Sequence, residues 1–203
     1  MNITYVVIFS YLCGSIPFGF IITKYFTGKD LRKFGSGNIG ATNVLRTGKK
    51  FLAASTLILD ATKVYVPVII TQKYFPELVY LSCLITFLGH IFPVWLKFNG
   101  GKGVATYLGI LIALSHQLSF LFIFTWIVVS LIFKYSSVSS IFAGLTVFVV
   151  TLIKDTTLKS IDINFNDTND LRIILLIFFI LIVFTHRKNI LNLKNGKETK
   201  IKL

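Results

Sequence analysis

Three short segments interrupt an otherwise oily chain with residues able to do chemistry. The first, Gly35-Ser36-Gly37-Asn38-Ile39-Gly40-Ala41-Thr42-Asn43-Val44-Leu45-Arg46, mixes glycines with hydroxyl, amide and guanidinium groups. If 41–46 is helical, Thr42 and Arg46 stack at i,i+4, and Asn43 and Arg46 at i,i+3. A guanidinium beside these groups, at a helix start that Ser36 or Asn38 could cap, suits a phosphate. The glycines leave room for a ligand's oxygens. The competing reading of this stretch is a flexible juxtamembrane loop with solvated charges.

The second segment runs Gly89-His90-Ile91-Phe92-Pro93-Val94-Trp95-Leu96-Lys97-Phe98 into Asn99-Gly100-Gly101-Lys102-Gly103-Val104-Ala105-Thr106. Backbone amides freed by glycine can wrap an anion, Lys102 supplies a point charge, and the following helix turns its positive end inward. It is not a Walker A loop, because GxxxxGK[ST] occurs nowhere in the chain. His90, inside an apolar run, reads first as a structural histidine, and Pro93 and Trp95 mark a kink and an interface anchor. The third segment, His186-Arg187-Lys188-Asn189-Ile190, continues towards Glu198, with His186 and Asn189 on one helical face. Arg187 and Lys188 also fit a charged exit from a membrane.

Other residues are more ambiguous. Asp60 and Lys63 lie within an apolar run, where each would cost about 2.5–3.5 kcal/mol alone. Their i,i+3 spacing favours a mutual pair, as structural glue or as part of a site. Ser136, Ser137, Ser139 and Ser140 open another run and suit capping and close packing. Neither HxxxxD, HExxH nor GxSxG occurs, and the eight carboxylates form no cluster on one face that would hold a metal. No cofactor is expected.

The elements that must position these segments are membrane helices. Of 203 residues, 54% are hydrophobic and only 14% charged, against roughly a quarter charged in soluble domains. The net charge of +13 sits in short loops between apolar runs, which excludes a nucleic-acid face and points to lipid head groups and topology. Cys13 and Cys83 lie inside apolar runs as small hydrophobes. The first residues carry no basic group before their apolar stretch, so no cleaved signal peptide is expected.

Apolar runs cover 3–23, 51–71, 77–96, 103–133, 138–153 and 171–186. As one helix, 103–133 would be about 46 Å long, too long for a core of about 30 Å. Ser115-His116-Gln117 divides it into 103–115 and 117–133. With seven spans and the N-terminus outside, the cytoplasmic side receives seven Lys/Arg in 24–50, Lys97, Lys102, Lys134 and six in 187–203. Lys73, Lys154, Lys159 and Arg172 fall outside; an undivided run would place the basic tail outside, against the positive-inside rule. The expected fold is therefore all-α, one polytopic integral membrane domain over 1–203 with seven spans and a cytoplasmic C-terminus. The short 103–115 helix places the glycine–lysine loop below the membrane surface, in a cytoplasm-facing pocket.

In order, GSGNIGATNVLR, GHIFPVWLKFNGGKGVAT and HRKNI…GKETK resemble the bacterial acyl-phosphate:glycerol-3-phosphate acyltransferase family. Asp60-x-x-Lys63 also looks like that family, and the resemblance covers nearly the whole chain. It implies a seven-span bundle in the bacterial plasma membrane with its site facing the cytoplasm. The implied reaction moves a fatty acyl group from acyl phosphate to the 1-hydroxyl of sn-glycerol 3-phosphate, giving lysophosphatidic acid and phosphate for phospholipid synthesis. By the same resemblance Ser36, Arg46 and Lys102 hold the glycerol phosphate, and His186 and Asn189 orient the glycerol hydroxyls. Asn38, Thr42, Asn43, Gly100, Gly101, Gly103 and Thr106 are the substrate-binding candidates around them, and Ser140 lines the same pocket. Glu198 supports the tail, with Asp60 and Lys63 as structural members. Implied partners are both substrates, membrane lipids and, left open, proteins that supply acyl phosphate.

The chain departs from the family pattern at Asn192, where a basic residue is common, and at Lys188, where an acidic or neutral one is. Two rivals remain: an anion transporter, which lacks an evident inverted repeat here, and a metal-dependent phosphatidyltransferase, which would need an aspartate-rich site. The proton acceptor, a substrate phosphate oxygen or His186, is open.

Overall fold

The computed structural model describes residues 2–153 and 168–201; Lys154 and Lys159 lie outside the described residues. The described residues form helices and connecting turns, with no strand among them. In hydrocarbon a helix satisfies its own backbone, so oily runs of this length fold no other way without closing a barrel. The chain divides into two compact units, Met1–Ala113 and Leu114–Leu203.

In the first unit, α1 (Asn2–Ser15) and α2 (Phe18–Thr27) are parted at Ile16-Pro17. Pro17 lacks an N–H and its ring crowds the preceding turn, so the apolar run 3–23 breaks there. Gly28, in the left-handed region at φ 67°, caps α2 by donating its N–H to Lys24 O. A folded loop carries a 3-10 turn at Leu31–Lys33 and the short α3 (Ala41–Leu45). Then come α4 (Lys50–Tyr74), α5 (Val79–Ile91) and α6 (Val104–Leu114).

Small residues let α1 lie close against α5. A Cβ on Gly14 would strike the Thr86 backbone, and one on Gly89 would come within 2.7 Å of Tyr11 O. Ser10 and Ser82 share a hydrogen bond at 2.9 Å across the same seam. The close approach of α6 to α4 is similar, since a Cβ on Gly109 would meet the Ala61 carbonyl. Such contacts replace the hydrophobic drive that lipid removes.

The second unit contains α7 (His116–Phe133), α8 (Ser136–Ile153), α9 (Thr168–Thr185) and α10 (Arg187–Lys194). Ser115 Oγ accepts the Leu118 N–H at 3.3 Å as the N-cap of α7, so the long apolar run is divided at the polar triplet. The outer face of α7 is an apolar stripe, with Phe120 70% and Leu131 60% exposed. An apolar face turned outward suits lipid. At 53°, α9 bends into α10 around His186.

Asn2–Thr27, Lys50–Tyr74, Pro76–Leu96 and His116–Phe133 are long and apolar enough to cross a membrane, and the bent α9–α10 pair makes a fifth. Val104–Leu114 and Ser136–Leu152 are apolar but shorter. The chain is an all-helical, multi-pass membrane protein.

Candidate active site

The first polar segment is folded rather than a flexible loop. Leu31, Val44, Leu52 and Ala53 form a small apolar core beneath it, with Ile22, Phe34 and Leu45 packed against them. Asp30 caps the 3-10 turn, accepting from Arg32 N–H at 3.0 Å and from its guanidinium at 3.0 and 2.7 Å. That hydrogen bonding holds the Asp30 carboxyl down from 3.8 to about 2. The cap is therefore complete at neutral pH and is lost only as acid approaches the lower value.

Asn43, 2% exposed, is the clasp of this segment. Its Nδ2 donates to Leu31 O at 3.2 Å, Phe34 O at 2.9 Å and Asn38 O at 2.7 Å, while its Oδ1 accepts the Ser36 N–H at 3.0 Å. Asn43 thus shapes the loop through its side-chain amide. Neither Ser36 nor Asn38 caps α3. Gly40 is the N-cap, and Asn38 Oδ1 accepts the Gly40 N–H at 2.8 Å. Gly35 adopts φ 56°, and a Cβ there would strike Asn43 Oδ1 and lie 3.2 Å from Arg46 Cδ. Arg46 thus reaches over the glycine turn, Ser36 is exposed, and Thr42 is partly buried on α3.

The second segment folds back on the end of α5. Gly100 N–H donates to Ile91 O at 3.0 Å and Gly101 N–H to His90 O at 3.1 Å. These are among the last carbonyls of a helix, which no intrahelical donor reaches. Those two N–H groups are therefore engaged within the fold. A Cβ on Gly100 would strike those carbonyls, one on Gly101 the His90 ring, and one on Gly103 the Phe87 ring. Gly103 adopts φ 82° and starts α6 through the Tyr107 N–H to Gly103 O bond at 2.7 Å. Before the glycines, Lys97 and Phe98 are also left-handed, at φ 53° and 61°, an uncommon backbone for residues with side chains. Lys102 is partly buried at the head of α6, and Thr106 beyond it is fully buried.

Asp60 and Lys63 do form the expected ion pair, at 2.8 Å. What sequence spacing missed is a second partner: His90 Nδ1 lies 3.0 Å from Lys63 Nζ, which also donates to Ile16 O at 2.6 Å. A contact 27 residues apart leaves no periodic trace.

In the second unit His186, 2% exposed, has Nδ1 at 2.8 Å from Ile182 O. A carbonyl only accepts, so a hydrogen sits on Nδ1, and in the neutral form of the ring the lone pair is on Nε2. Asn189 Nδ2 donates to Glu198 Oε1 at 2.6 Å, and Ser137 Oγ donates to the same oxygen at 3.2 Å. Glu198 thus ties the tail to α10 and α8. Ser140 is fully buried, accepts from Trp126 Nε1 at 3.1 Å and donates to Ser136 O at 2.8 Å. Ser140 thereby links α7 to α8.

The family model described as glycerol-3-phosphate acyltransferase matches residues 4–196. A glycerol-3-phosphate acyltransferase of Pelagibacter ubique (strain HTCC1062) is 48% identical over the full length of both chains. One from Wolbachia pipientis wMel is 46% identical over 96% of each. Among solved structures, PlsY (YgiH), an integral membrane glycerol 3-phosphate acyltransferase, matches in its glycerol 3-phosphate form with TM-score 0.86 and 34% identity, covering 100% of this chain and 96% of that one. Its lysophosphatidic acid form gives 0.83 and 32%, covering 98% and 95%. With three polar motifs in order on an all-helical membrane scaffold and full-length relatives at this identity, the chain belongs to the glycerol-3-phosphate acyltransferase family.

Proposed function

We propose that this acyltransferase takes its acyl group from acyl phosphate and places it on the 1-hydroxyl of sn-glycerol 3-phosphate, releasing lysophosphatidic acid and phosphate. It does so in a bacterial plasma membrane, as one seven-span domain with an outside N-terminus and a site open to the cytoplasm. The observation that carries the reading is Arg46 lying over the Gly35 turn of a loop that Asn43 clasps. A guanidinium beside such a turn is suited to a phosphate. The ligands named for the solved relative, glycerol 3-phosphate and lysophosphatidic acid, match the acceptor and product and support it.

Acyl phosphate is a mixed anhydride with a good leaving group, so the catalyst mainly aligns two anions and offsets their repulsion. Ser36, Arg46 and Lys102 take that role, with Asn38, Thr42, Gly103 and Thr106 beside them. The glycerol hydroxyl oxygen bonds to the acyl carbon, the carbon–oxygen bond to phosphate breaks, and the hydroxyl proton passes to a phosphate oxygen. His186 Nε2 is the protein alternative as acceptor, and Asn189 orients the hydroxyls. His186→Ala decides between them: loss of turnover with glycerol phosphate binding intact favours the histidine base.

The test uses purified protein, palmitoyl phosphate or palmitoyl-CoA, and labelled glycerol 3-phosphate. Lysophosphatidate from the acyl phosphate alone is the expected result. Product from acyl-CoA overturns the donor assignment, and phosphate uptake into liposomes without acylation favours a transporter.

A further inference from the structure

Lys63, Asp60 and His90 are 6%, 2% and 4% exposed, and none belongs to the set that holds substrate. The Lys63 ammonium is ion-paired with Asp60 Oδ1 at 2.8 Å and hydrogen-bonded to Ile16 O at 2.6 Å and His90 Nδ1 at 3.0 Å. An ammonium has three hydrogens and no acceptor, so His90 Nδ1 must be the accepting nitrogen and the ring hydrogen lies on Nε2. The Nε2 edge is what a Cβ on Gly101 would strike. The same residue's carbonyl takes the Gly101 N–H, and its neighbour's takes the Gly100 N–H.

One buried cation therefore fixes the ring against which the glycine loop is laid, immediately before Lys102. Paired charges alone would be adequate glue; they would not need a third partner on another helix. At the Pro17 break the Ile16 carbonyl, which also accepts the Phe18 N–H at 3.2 Å, completes the set. We infer that Asp60, Lys63 and His90 are a positioning relay that sets the Gly100–Gly103 loop and, through it, the substrate-facing pose of Lys102. The inference rests on the reading of Lys102 as a phosphate-holding group.

The test is a kinetic cycle of His90→Ala and Lys102→Ala, each substrate varied in turn. His90→Ala is expected to lower kcat/KM by about tenfold, chiefly by raising KM for one anionic substrate, but by less than about threefold where Lys102 is already Ala. His90→Asn, whose Oδ1 can replace Nδ1 as acceptor, should recover part of the loss. The paired change Asp60→Leu with Lys63→Met removes both charges without stranding either, a swap buried pairs often tolerate. Folded protein of that kind should show the same KM defect. Equal losses from His90→Ala in both backgrounds, or a folded paired variant within about twofold of wild-type kinetics, overturn the relay. If the paired variant does not fold, the His90–Lys102 cycle decides. Failure of the underlying reading looks different, since the unaltered enzyme would then form no lysophosphatidate from acyl phosphate.

Discussion

Asn43 donates to three carbonyls and accepts from the Ser36 N–H, so removing its side chain leaves several sheltered groups without partners. Asn43→Ala should destabilise the protein by about 1–3 kcal/mol, and Asn43→Asp should do no better because a carboxylate would face three carbonyl oxygens. Thermal unfolding in detergent checks this. An unchanged melting temperature with lost activity would mark Asn43 as a substrate contact. Ser140→Ala makes the opposite case. Its hydroxyl serves Trp126 and Ser136, so kcat/KM should stay within about threefold of wild type while stability falls slightly. A hundredfold loss, by about the same measure, would mean substrate contact. Spacing made Asn43 and Arg46 legible as a pair, but i,i+3 geometry is equally good for clasping a loop and for meeting a ligand. Which way the amide turns depends on carbonyls at 31, 34 and 38, and a residue pattern does not reveal those. The same limit hid His90 from Lys63, because their contact is made only when α4 and α5 pack.

At the scale of elements, the α1–α5 seam depends on residues without bulk. Gly14→Leu would push the α1 backbone off Thr86, and loss of folded, detergent-stable protein is expected, read by size-exclusion profile and melting temperature. The Ser10–Ser82 bond should contribute far less: a cycle of Ser10→Ala and Ser82→Ala should return a coupling of about 0.6 kcal/mol, since the unfolded chain in a membrane also finds partners. The oily runs were legible because their length and hydropathy leave the backbone little choice. The division at Ser115 was legible too, from a polar triplet inside a run too long to cross once. The break inside 3–23 was not, because Pro17 in a membrane helix is often absorbed as a kink. Here it parts two helices, and the carbonyl before it, Ile16 O, meets Lys63.

For the molecule as a whole, the remaining question is which side each loop faces. Within the second unit, Ile201 N–H donates to Lys134 O at 2.7 Å, and Glu198 takes the Ser137 hydroxyl. The basic tail and the Lys134 turn therefore lie together, as a hairpin of α8 and α9 requires. Their positive charges are counted as one group, and only the short helix at 104–114 decides whether that group shares a side with Lys24–Lys50. Sharing it gathers 16 of the 21 Lys/Arg on one side, and the positive-inside rule makes that side the cytoplasm. Alkaline phosphatase fused after residue 75 or 116 should be active, and after 48, 134 or 196 inactive. Activity after 134 and 196, with none after 116, would mean that 104–114 does not cross. The cationic loops would then be split between two sides of the membrane, and the seven-span reading would fail.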